Sequence, residues 1–452
     1  MLNKILSEIY RTLFGNYTVI LVLFAGIFLT FKTRFFVLKC GGKVAKEIFG
    51  LNNKCEKNSD NKTICSFASK NKRKKGVSSF SAMSTSLSGC LGVGNIIGVS
   101  SAIMVGGSGA IFWLLVGGII GMTVKFCEVY LAVRYKTITR DGSCIGGAMY
   151  YLEEGANSKI LGVIFAVGCI LCSFGIGNIA QCSAISNTLF YTIDINKYIT
   201  ATILTIITFS VINGGAKRII TFCTFLMPIM AMFYICGALA VIFFFRSHIS
   251  QVICDILSQA VGLDAIVGGS VGIAIKSGIT KGIFTNEAGL GSASIAHSCA
   301  DTNDCLKQGY WGIFEVFLDT IVVCSLTALA ILLSKSHIGK GTEAMVALGA
   351  FQSVFGGFAK IFLSVSISLF AFGSIVSWNL YGRQCLYYIA PKNKVLLSVY
   401  NYIFIFVCFA GCMFSEKNAL IVADILNAFM LYPNIIGLLI LSKEINIDGQ
   451  RK

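Results

Sequence analysis

The sequence SGCLGVGNIIG, at positions 88–98, places four glycines and an asparagine inside an apolar stretch that covers residues 80–104. Glycine and asparagine are poor helix formers. A helix that unwinds inside a bilayer must pair its freed N–H and C=O groups with protein or with a solute. We therefore predict an unwound binding segment here, and the alternative is close helix packing through small residues at GxxxG-like spacing.

A second stretch repeats this theme, because residues 278–292 read GITKGIFTNEAGLGS within the segment 265–297. This stretch is too polar for an ordinary span. An Asn-Glu pair inside a membrane is costly and by default marks a functional site. The alternative is that the apolar run ends near Ile275 and that a cytoplasmic loop follows it.

The composition of the chain bounds its class. Of its 452 residues, 55% are hydrophobic and 13% are charged, whereas a soluble domain is about 25% charged. Long apolar stretches recur along the whole chain and are typical of bilayer spans. These features exclude a soluble enzyme, and no motif of a catalytic or metal centre is found. We expect no enzyme activity, no catalytic residues, no cofactor and no bound metal other than a coupling ion.

The order of the apolar segments predicts an all-α polytopic membrane protein with about eleven transmembrane helices. The segments are 13–31, 80–104, 109–133, 159–179, 199–213, 219–245, 265–297, 312–334, 354–379, 398–414 and 419–441. A single transmembrane domain, 1–452, would comprise an extra N-terminal helix (13–38), a basic cytoplasmic loop (39–79) and two five-helix repeats (80–245 and 265–441). Interrupted spans at corresponding places in two halves indicate an inverted-repeat secondary transporter.

The positive charges predict the orientation. The side of the membrane that holds the loop after the first span collects 26 lysines and arginines, and the opposite side collects 7. By the positive-inside rule the N-terminus lies outside and the C-terminus in the cytoplasm, in the inner (plasma) membrane of the cell. This bias accounts for the net charge of +16 without a nucleic-acid partner. The loop 52–75 is predicted to be a solvated insert or to attract anionic lipids.

Several further motifs make the chain recognisable. They are GVGNI at 92–96, KFCE at 125–128, GGAMYY at 146–151, FGIGN at 174–178, NEAGLGSA at 286–293 and ADILN at 423–427. With these motifs the chain resembles the alanine or glycine:cation symporter family, also called sodium:alanine symporters, over almost its whole length. The resemblance implies a leucine-transporter-type 5+5 inverted repeat with one extra N-terminal helix. It also implies import of alanine or glycine with Na+, or sometimes H+.

Three positions depart from the family pattern where cation coordination is expected. Val93 replaces a usual threonine, and Gly373-Ser374 replaces a usual Ser-Thr pair. By fold analogy the second of these places supplies hydroxyls to a sodium ion. Ser377 replaces a usual glycine, and either narrows the pocket or returns a hydroxyl. The resemblance therefore predicts the solute class more firmly than the coupling ion.

The predicted site combines both interrupted spans with side chains from other helices. The substrate-binding set is Gly92, Gly94, Asn95, Gln181, Phe284, Asn286, Glu287, Gly289, Gly291 and Trp378, and the cation-binding set is Gly89, Asn95, Ser374, Ser377 and Asp319. For the two aromatic residues, ordinary core packing is the alternative. Glu287 would bind the amine, ligate the cation, carry a proton or brace the unwound chain.

Four charged residues also have structural alternatives. Lys125 and Glu128 are three residues apart and predict an i,i+3 pair near the cytoplasmic end, in which the lysine snorkels. Glu315 and Asp319 are candidates for a cation pathway or a proton relay, or else pair with another helix.

We therefore expect a cation-coupled importer of a small neutral amino acid that works by alternating access in a lipid bilayer. One alternative is an ion channel, because glycine-rich re-entrant backbone also builds selectivity filters. Another is a membrane sensor derived from a transporter, with the loop 52–75 as its output element. The sequence leaves open alanine against glycine, Na+ against H+, and the oligomeric state.

Overall fold

The computed structural model describes residues 16–48, 76–139, 142–261, 270–338, 341–391 and 393–447, which fold almost entirely as helices. The loop 52–75 and its predicted role lie outside the described residues. The longer helices are α1 (Asn16–Lys32), α2 (Gly41–Ile48), α3 (Ser79–Cys90), α4 (Ile97–Gly106), α5 (Gly109–Arg134), α6 (Lys159–Phe174), α7 (Ala180–Ile193), α8 (Lys197–Ile212), α9 (Gly215–Phe244), α10 (Ile249–Val261), α11 (Ser270–Thr285), α12 (Ser292–Ser298), α13 (Cys305–Val316), α14 (Ser325–Leu333), α15 (Glu343–Phe355), α16 (Phe358–Ile389), α17 (Lys394–Gly411) and α18 (Glu416–Ile440).

Shorter elements join these helices. Single turns of 3-10 helix are Val93–Asn95, Arg246–His248, Ser336–Ile338 and Leu441–Glu444, π-helical turns are Tyr151–Gly155, Gly175–Ile179 and Phe317–Cys324, and short α-helices are Phe36–Lys39 and Ala148–Tyr150. A hairpin of β1 (Thr137–Ile138) and β2 (Cys144–Ile145) pairs antiparallel.

Seven helices in the described part are long and apolar enough to cross a membrane, and the bent pair α3 and α4 adds an eighth. Shorter apolar helices cover Tyr17–Lys32, Lys197–Ile212 and Glu343–Phe355. Large apolar side chains such as Ile206 and Phe225 are exposed on α8 and α9, as expected for helices that face lipid. The protein is thus a multi-pass helical membrane protein, and the number of eleven spans stays a prediction.

The first interruption is present where the glycines predict it. Helix α3 begins after Ser78, whose Oγ accepts the N–H of Ser81, and it ends at Cys90. Gly92 is extended, a 3-10 turn follows, and α4 continues at an angle of 64° to α3. The prediction of an unwound segment is confirmed.

The second interruption lies between α11 and α12 and covers residues 286–291. Helix α11 continues past Ile275 to Thr285, so the alternative of a loop from Ile275 onward is wrong. Gly289 and Gly291 have positive φ angles of 91° and 77°, and Glu287 has a φ of 55°. Glycine adopts this left-handed region without steric cost. A non-glycine residue held there requires surrounding contacts that fix it.

Helices α6 and α7 form one continuous span through the π-helical turn 175–179, whereas the sequence predicted a segment that ends at residue 179. A π-turn widens a helix but keeps its backbone hydrogen-bonded, so the span continues to Ile193. At Gly177 an added Cβ would lie 2.2 Å from the Cβ of Trp378. The glycine therefore permits α16 to approach this span at the level of Trp378.

Glycines also bring α5 and α11 into backbone contact. An added Cβ at Gly278 would lie 2.1 Å from the carbonyl oxygen of Ala110, and one at Gly282 would lie 2.3 Å from that of Leu114. Small residues drive helix association in membranes because no hydrophobic effect acts between helices there. The contact fixes the position of the second interruption relative to α5.

We expect Gly282→Ala to destabilise the protein by about 1–3 kcal/mol, because the new methyl group collides with backbone that cannot move aside. The melting temperature of the detergent-purified protein measures this loss. Gly272→Ala in the same helix is the matched control, since a Cβ there meets nothing within 4 Å. Equal melting temperatures for the two variants would contradict the close contact.

Candidate functional site

The two interruptions meet in the interior of the protein. A Cβ added at Gly94 would lie 3.7 Å from the side chain of Thr285, the last residue of α11. The Cys90 thiol, at the end of α3, donates to the carbonyl oxygen of Asn286 at 3.6 Å. Sequence positions nearly two hundred residues apart thus form one polar region at four helix ends.

Gln181 closes the first interruption on one side. Its Oε1 accepts the N–H of Val93 at 3.4 Å, and its Nε2 donates to the carbonyl oxygen of Ile176 at 3.1 Å. An added Cβ at Gly92 would lie 3.1 Å from the Gln181 amide. Gln181, predicted as a substrate contact, therefore lies directly against the unwound segment.

Asn95 joins the first interruption to the π-helical turn 317–324. Its Nδ2 donates to Asp319 Oδ1 at 2.7 Å and to the Asp319 carbonyl oxygen at 3.3 Å. The hydroxyl of Thr320 donates to Asp319 Oδ2 at 2.9 Å. In the described part of the chain, Asn95 Oδ1 is buried and has no hydrogen-bond partner. A carboxylate and an unpaired amide oxygen are thus close together, and such oxygens are the ligands that hard cations prefer.

Asn286 organises the start of the second interruption. Its Oδ1 accepts the N–H of Ala288 at 3.0 Å, which is an Asx turn. Its Nδ2 donates to the Gly282 carbonyl oxygen at 2.7 Å and to the Thr320 hydroxyl at 3.1 Å. Both interruptions therefore contact the same π-helical turn, Asn95 through Asp319 and Asn286 through Thr320.

Glu287 is 4% exposed and lies between α12 and α16. Its Oε1 accepts the indole N–H of Trp378 at 3.1 Å, and its Oε2 accepts the hydroxyl of Ser292 at 2.6 Å. These contacts fix its left-handed backbone. Of the roles that the sequence leaves open for Glu287, these contacts support bracing of the interruption, through two side chains.

Glu128 of α5 pairs the freed backbone of the second interruption. Its Oε1 accepts the N–H groups of Gly289 at 2.9 Å and Gly291 at 3.1 Å, and the Nδ2 of Asn434 at 2.7 Å. Asn434 also donates to the Gly289 carbonyl oxygen at 2.8 Å. The two glycine N–H groups are therefore occupied by protein in this conformation. Their predicted role in substrate binding stays a prediction.

The predicted i,i+3 pair of Lys125 and Glu128 is wrong. Lys125 is fully buried and does not snorkel, and its Nζ lies 3.2 Å from Glu315 Oε1. Glu315 Oε2 is 2.9 Å from His297 Nε2, and Gln308 is 2.7 Å from the other ring nitrogen. A buried carboxylate on a neighbouring helix compensates the ammonium better than Glu128, whose Oε1 already accepts three N–H donors.

The remaining predicted cation residues form a second group between α3 and α16. The hydroxyl of Ser374 donates to the Gly89 carbonyl oxygen at 3.0 Å, and the hydroxyl of Ser377 donates to the Thr85 carbonyl oxygen at 2.9 Å. The Cys223 thiol of α9 lies 3.4 Å from the Ser377 hydroxyl. The predicted cation residues thus lie at two places. One is the set of Gly89, Ser374 and Ser377, and the other is the pair of Asn95 and Asp319.

Buried acids outnumber buried bases around the interruptions. The four carboxyl side chains of this region are no more than 4% exposed; they are Glu128, Glu287, Glu315 and Asp319. The described buried bases of this region are Lys125 and the imidazole of His297. Burying an uncompensated charge costs several kcal/mol. The region is therefore suited to take up protons or cations.

Most of the predicted substrate residues lie together at the two interruptions. Phe284 is half-buried at the end of α11, and Trp378 is fully buried against Glu287. The sequence reasoning missed that Asn434, His297 and Gln308 belong to the same polar network. Asn434 is a polar residue in the mainly apolar segment 419–441, a pattern that marks buried functional or bracing groups in membranes. His297 and Gln308 lie in helices with other polar residues, so their sequences carry no such signal.

The fold of this protein is similar to that of two solved structures. It is similar to MhsT, in a structure titled as a complex with L-phenylalanine, with a TM-score of 0.59 and 15% identity over 82% of this chain and 90% of that one. It is also similar to a manganese transporter of Eremococcus coleocola, with a TM-score of 0.51 and 14% identity over 80% of this chain and 76% of the other. These neighbours are transporters of the leucine-transporter fold.

The chain belongs to the sodium:alanine symporter family, which it matches over residues 1–448. It is 33% identical to the sodium/alanine symporter AgcS of Methanococcus maripaludis, over 97% of this chain and 94% of that protein. It is 36% identical to the amino-acid carrier protein AlsT of Bacillus subtilis, over 81% and 78% of the two chains. It is also 32% identical to the probable sodium/glutamine symporter GlnT of Bacillus subtilis, over 98% and 89%. The protein is a transporter and not an enzyme, and neither the channel nor the sensor alternative is favoured.

We expect Lys125→Met alone to destabilise the protein by about 3–5 kcal/mol, because it leaves the Glu315 carboxylate buried without its ammonium partner. The double variant Lys125→Met/Glu315→Gln should lose less than Lys125→Met, since both charges are removed together. Chemical denaturation or thermal melting of the purified variants gives the interaction free energy between the two side chains. Additive losses in the double variant would contradict the ion pair.

Proposed function

We propose that this protein imports a small neutral amino acid, alanine or glycine, together with Na+ or H+, by alternating access. The observation that carries this proposal is the meeting of two unwound spans beside an excess of buried carboxylates. Unwound backbone at mid-membrane suits a small zwitterion, and the excess acids suit a co-transported cation. AgcS, to which the chain is 33% identical, is named as a sodium/alanine symporter.

The fold in this proposal is a 5+5 inverted repeat with α1 as the extra N-terminal helix. Residues 80–245 form the first repeat and residues 265–441 the second. The support is that α3 with α4 and α11 with α12 are both broken, and that each broken pair begins its half of the chain. The charge bias of 26 to 7 supports an N-terminus outside and a C-terminus in the cytoplasm of the plasma membrane.

The amino acid binds where the two interruptions meet. Backbone at Gly92, Gly94 and Asn286 faces its charged ends, and Gln181 supplies a polar contact from α7. Phe284 and Trp378 form aromatic walls. A small side chain suits this arrangement, because Trp378 is fully buried and α16 is held against Gly177.

The coupling cation binds at Asn95 and Asp319. The support is the unpaired Asn95 Oδ1, which lies beside a carboxylate that has only two hydrogen-bond donors in the described part of the chain. The carbonyl oxygen of Gly89 and the hydroxyls of Ser374 and Ser377 form a second candidate position. Binding of the cation and the amino acid is mutually favourable, because coupling requires each ligand to raise the affinity of the other.

Alanine uptake into proteoliposomes tests this proposal. We expect uptake to collapse when the Na+ gradient is removed. Asp319→Asn should raise the Na+ concentration for half-maximal uptake about 10- to 100-fold, because a charged ligand is lost. Asp255→Asn, on exposed α10, is the control. Uptake that persists without Na+ but stops with a protonophore would assign H+ as the coupling ion. No saturable uptake of alanine or glycine by the wild-type protein would overturn the proposal.

Gly373→Ser tests whether Na+ binds at the second candidate position, between α3 and α16. A Cβ at Gly373 would lie 3.4 Å from Met230 Sδ and 3.5 Å from Ser88 Cβ, so a small side chain fits there. If Na+ binds at this position, the added hydroxyl lowers the Na+ concentration for half-maximal uptake about threefold or more, since a hydrogen-bonding ligand contributes about 1 kcal/mol. Gly373→Ala adds the same methyl group without the oxygen and should not change it. An equal Na+ dependence in both variants would exclude Na+ from this position.

A further inference from the structure

A cavity lies along helix α11, between the start of this helix and the second interruption. This cavity, of about 670 Å³, is lined by residues of α4 and α11 and by Asp424 of α18. One wall is a row of α11 residues four apart, Lys276, Thr280 and Phe284. Residues at this spacing lie on one face of a helix. The row descends from the exposed Lys276 to the half-buried Phe284, which directly precedes Thr285 at the meeting point of the interruptions.

Charges of both signs line this cavity. Lys281 of α11 and Asp424 of α18 are half-buried, and each lies within electrostatic range of the other. The aliphatic part of Lys281 lies along α4, with its Cδ 3.9 Å from the Cβ position of Gly98. The lysine side chain is therefore held over the cavity between the two broken helices.

Lys281 and Asp424 attract each other, but neither has a direct partner in the described part of the chain. No hydrogen bond or ion pair within 4.0 Å reaches the side chain of Lys281 or Asp424 from the described residues. Lys276, at the wider end of the cavity, adds a second positive charge. Partly buried charges without partners are costly unless a ligand places a charge of opposite sign beside each of them.

We propose that this cavity is an entry site, which holds the amino-acid zwitterion before it passes Phe284 to the interruptions. Its carboxylate pairs with Lys281 and its ammonium group pairs with Asp424. An α-amino acid carries these two charges on neighbouring groups, whereas an inorganic anion or cation would satisfy only one wall. The inference rests on the proposed function and on the orientation that places the start of α11 outside.

An entry site in series with a deeper site has a specific kinetic signature. It speeds capture of the amino acid but leaves the equilibrium affinity of the deeper site unchanged. We expect Lys281→Gln and Asp424→Asn each to raise the KM of alanine uptake about tenfold, because each removes one charge-assisted hydrogen bond to the ligand. The Kd of the central site for alanine, measured by equilibrium binding to the purified protein, should change less than about twofold.

Lys360→Gln is the matched control, because Lys360 is an exposed lysine near the start of α16, on the same side of the membrane as the cavity. It should leave KM and Kd unchanged. Melting temperatures equal to the wild-type value verify that the two cavity variants fold.

The outcomes separate the two proposals. Wild-type uptake with an unchanged KM in both cavity variants would overturn the entry site alone. A parallel rise in KM and Kd would also overturn it, since the charges would then act on the central site. Absence of amino-acid uptake by the wild-type protein would overturn the proposed function together with the entry site.

Discussion

Backbone that is broken inside an apolar medium must be paired by other groups, and this requirement organises the structure. At the second interruption a single oxygen, Glu128 Oε1, accepts two glycine N–H groups and the amide of Asn434. Without water to replace them, such bonds cost several kcal/mol when unmade. Helix α5 therefore contributes a carboxylate where the chain of another helix stops being helical, and α18 contributes an amide at the same point.

Electrostatic compensation follows from the same requirement. The Glu128 carboxyl group that pairs with backbone N–H groups is buried, and three further acids are buried near it, namely Glu287, Glu315 and Asp319. Lys125 compensates Glu315 directly. In the described part of the chain, the carboxyl groups of Glu287 and Asp319 receive hydrogen bonds from neutral groups only; these are Trp378, Ser292, Asn95 and Thr320. Among the described residues the interior thus holds more carboxyl groups than bases to compensate them, and this composition suits the uptake of cations or protons.

The sequence predicted where helices form and break better than it predicted which side chains contact each other between helices. Glycine runs identified both interruptions, because helix propensity and polarity are local properties. The sequence did not identify the partner of Lys125, because i,i+3 spacing is visible along one helix whereas Glu315 approaches from another. It also ended the span at residue 179, since a π-helical turn looks like a break when only composition is read. The site residues near the interruptions were identifiable by type, but Asn434 and Gln308 needed three-dimensional proximity.

The glycine contact between α5 and α11 has a consequence for motion. At Gly278 and Gly282 the two helices touch largely through backbone atoms, which cannot change rotamer to let the helices slide past each other. Such close backbone contact resists sliding, so we expect the two helices to move together as one rigid unit. Any opening and closing that the protein undergoes is then concentrated at the remaining surfaces of this unit, where α11 faces α4 and α18 across the charged cavity.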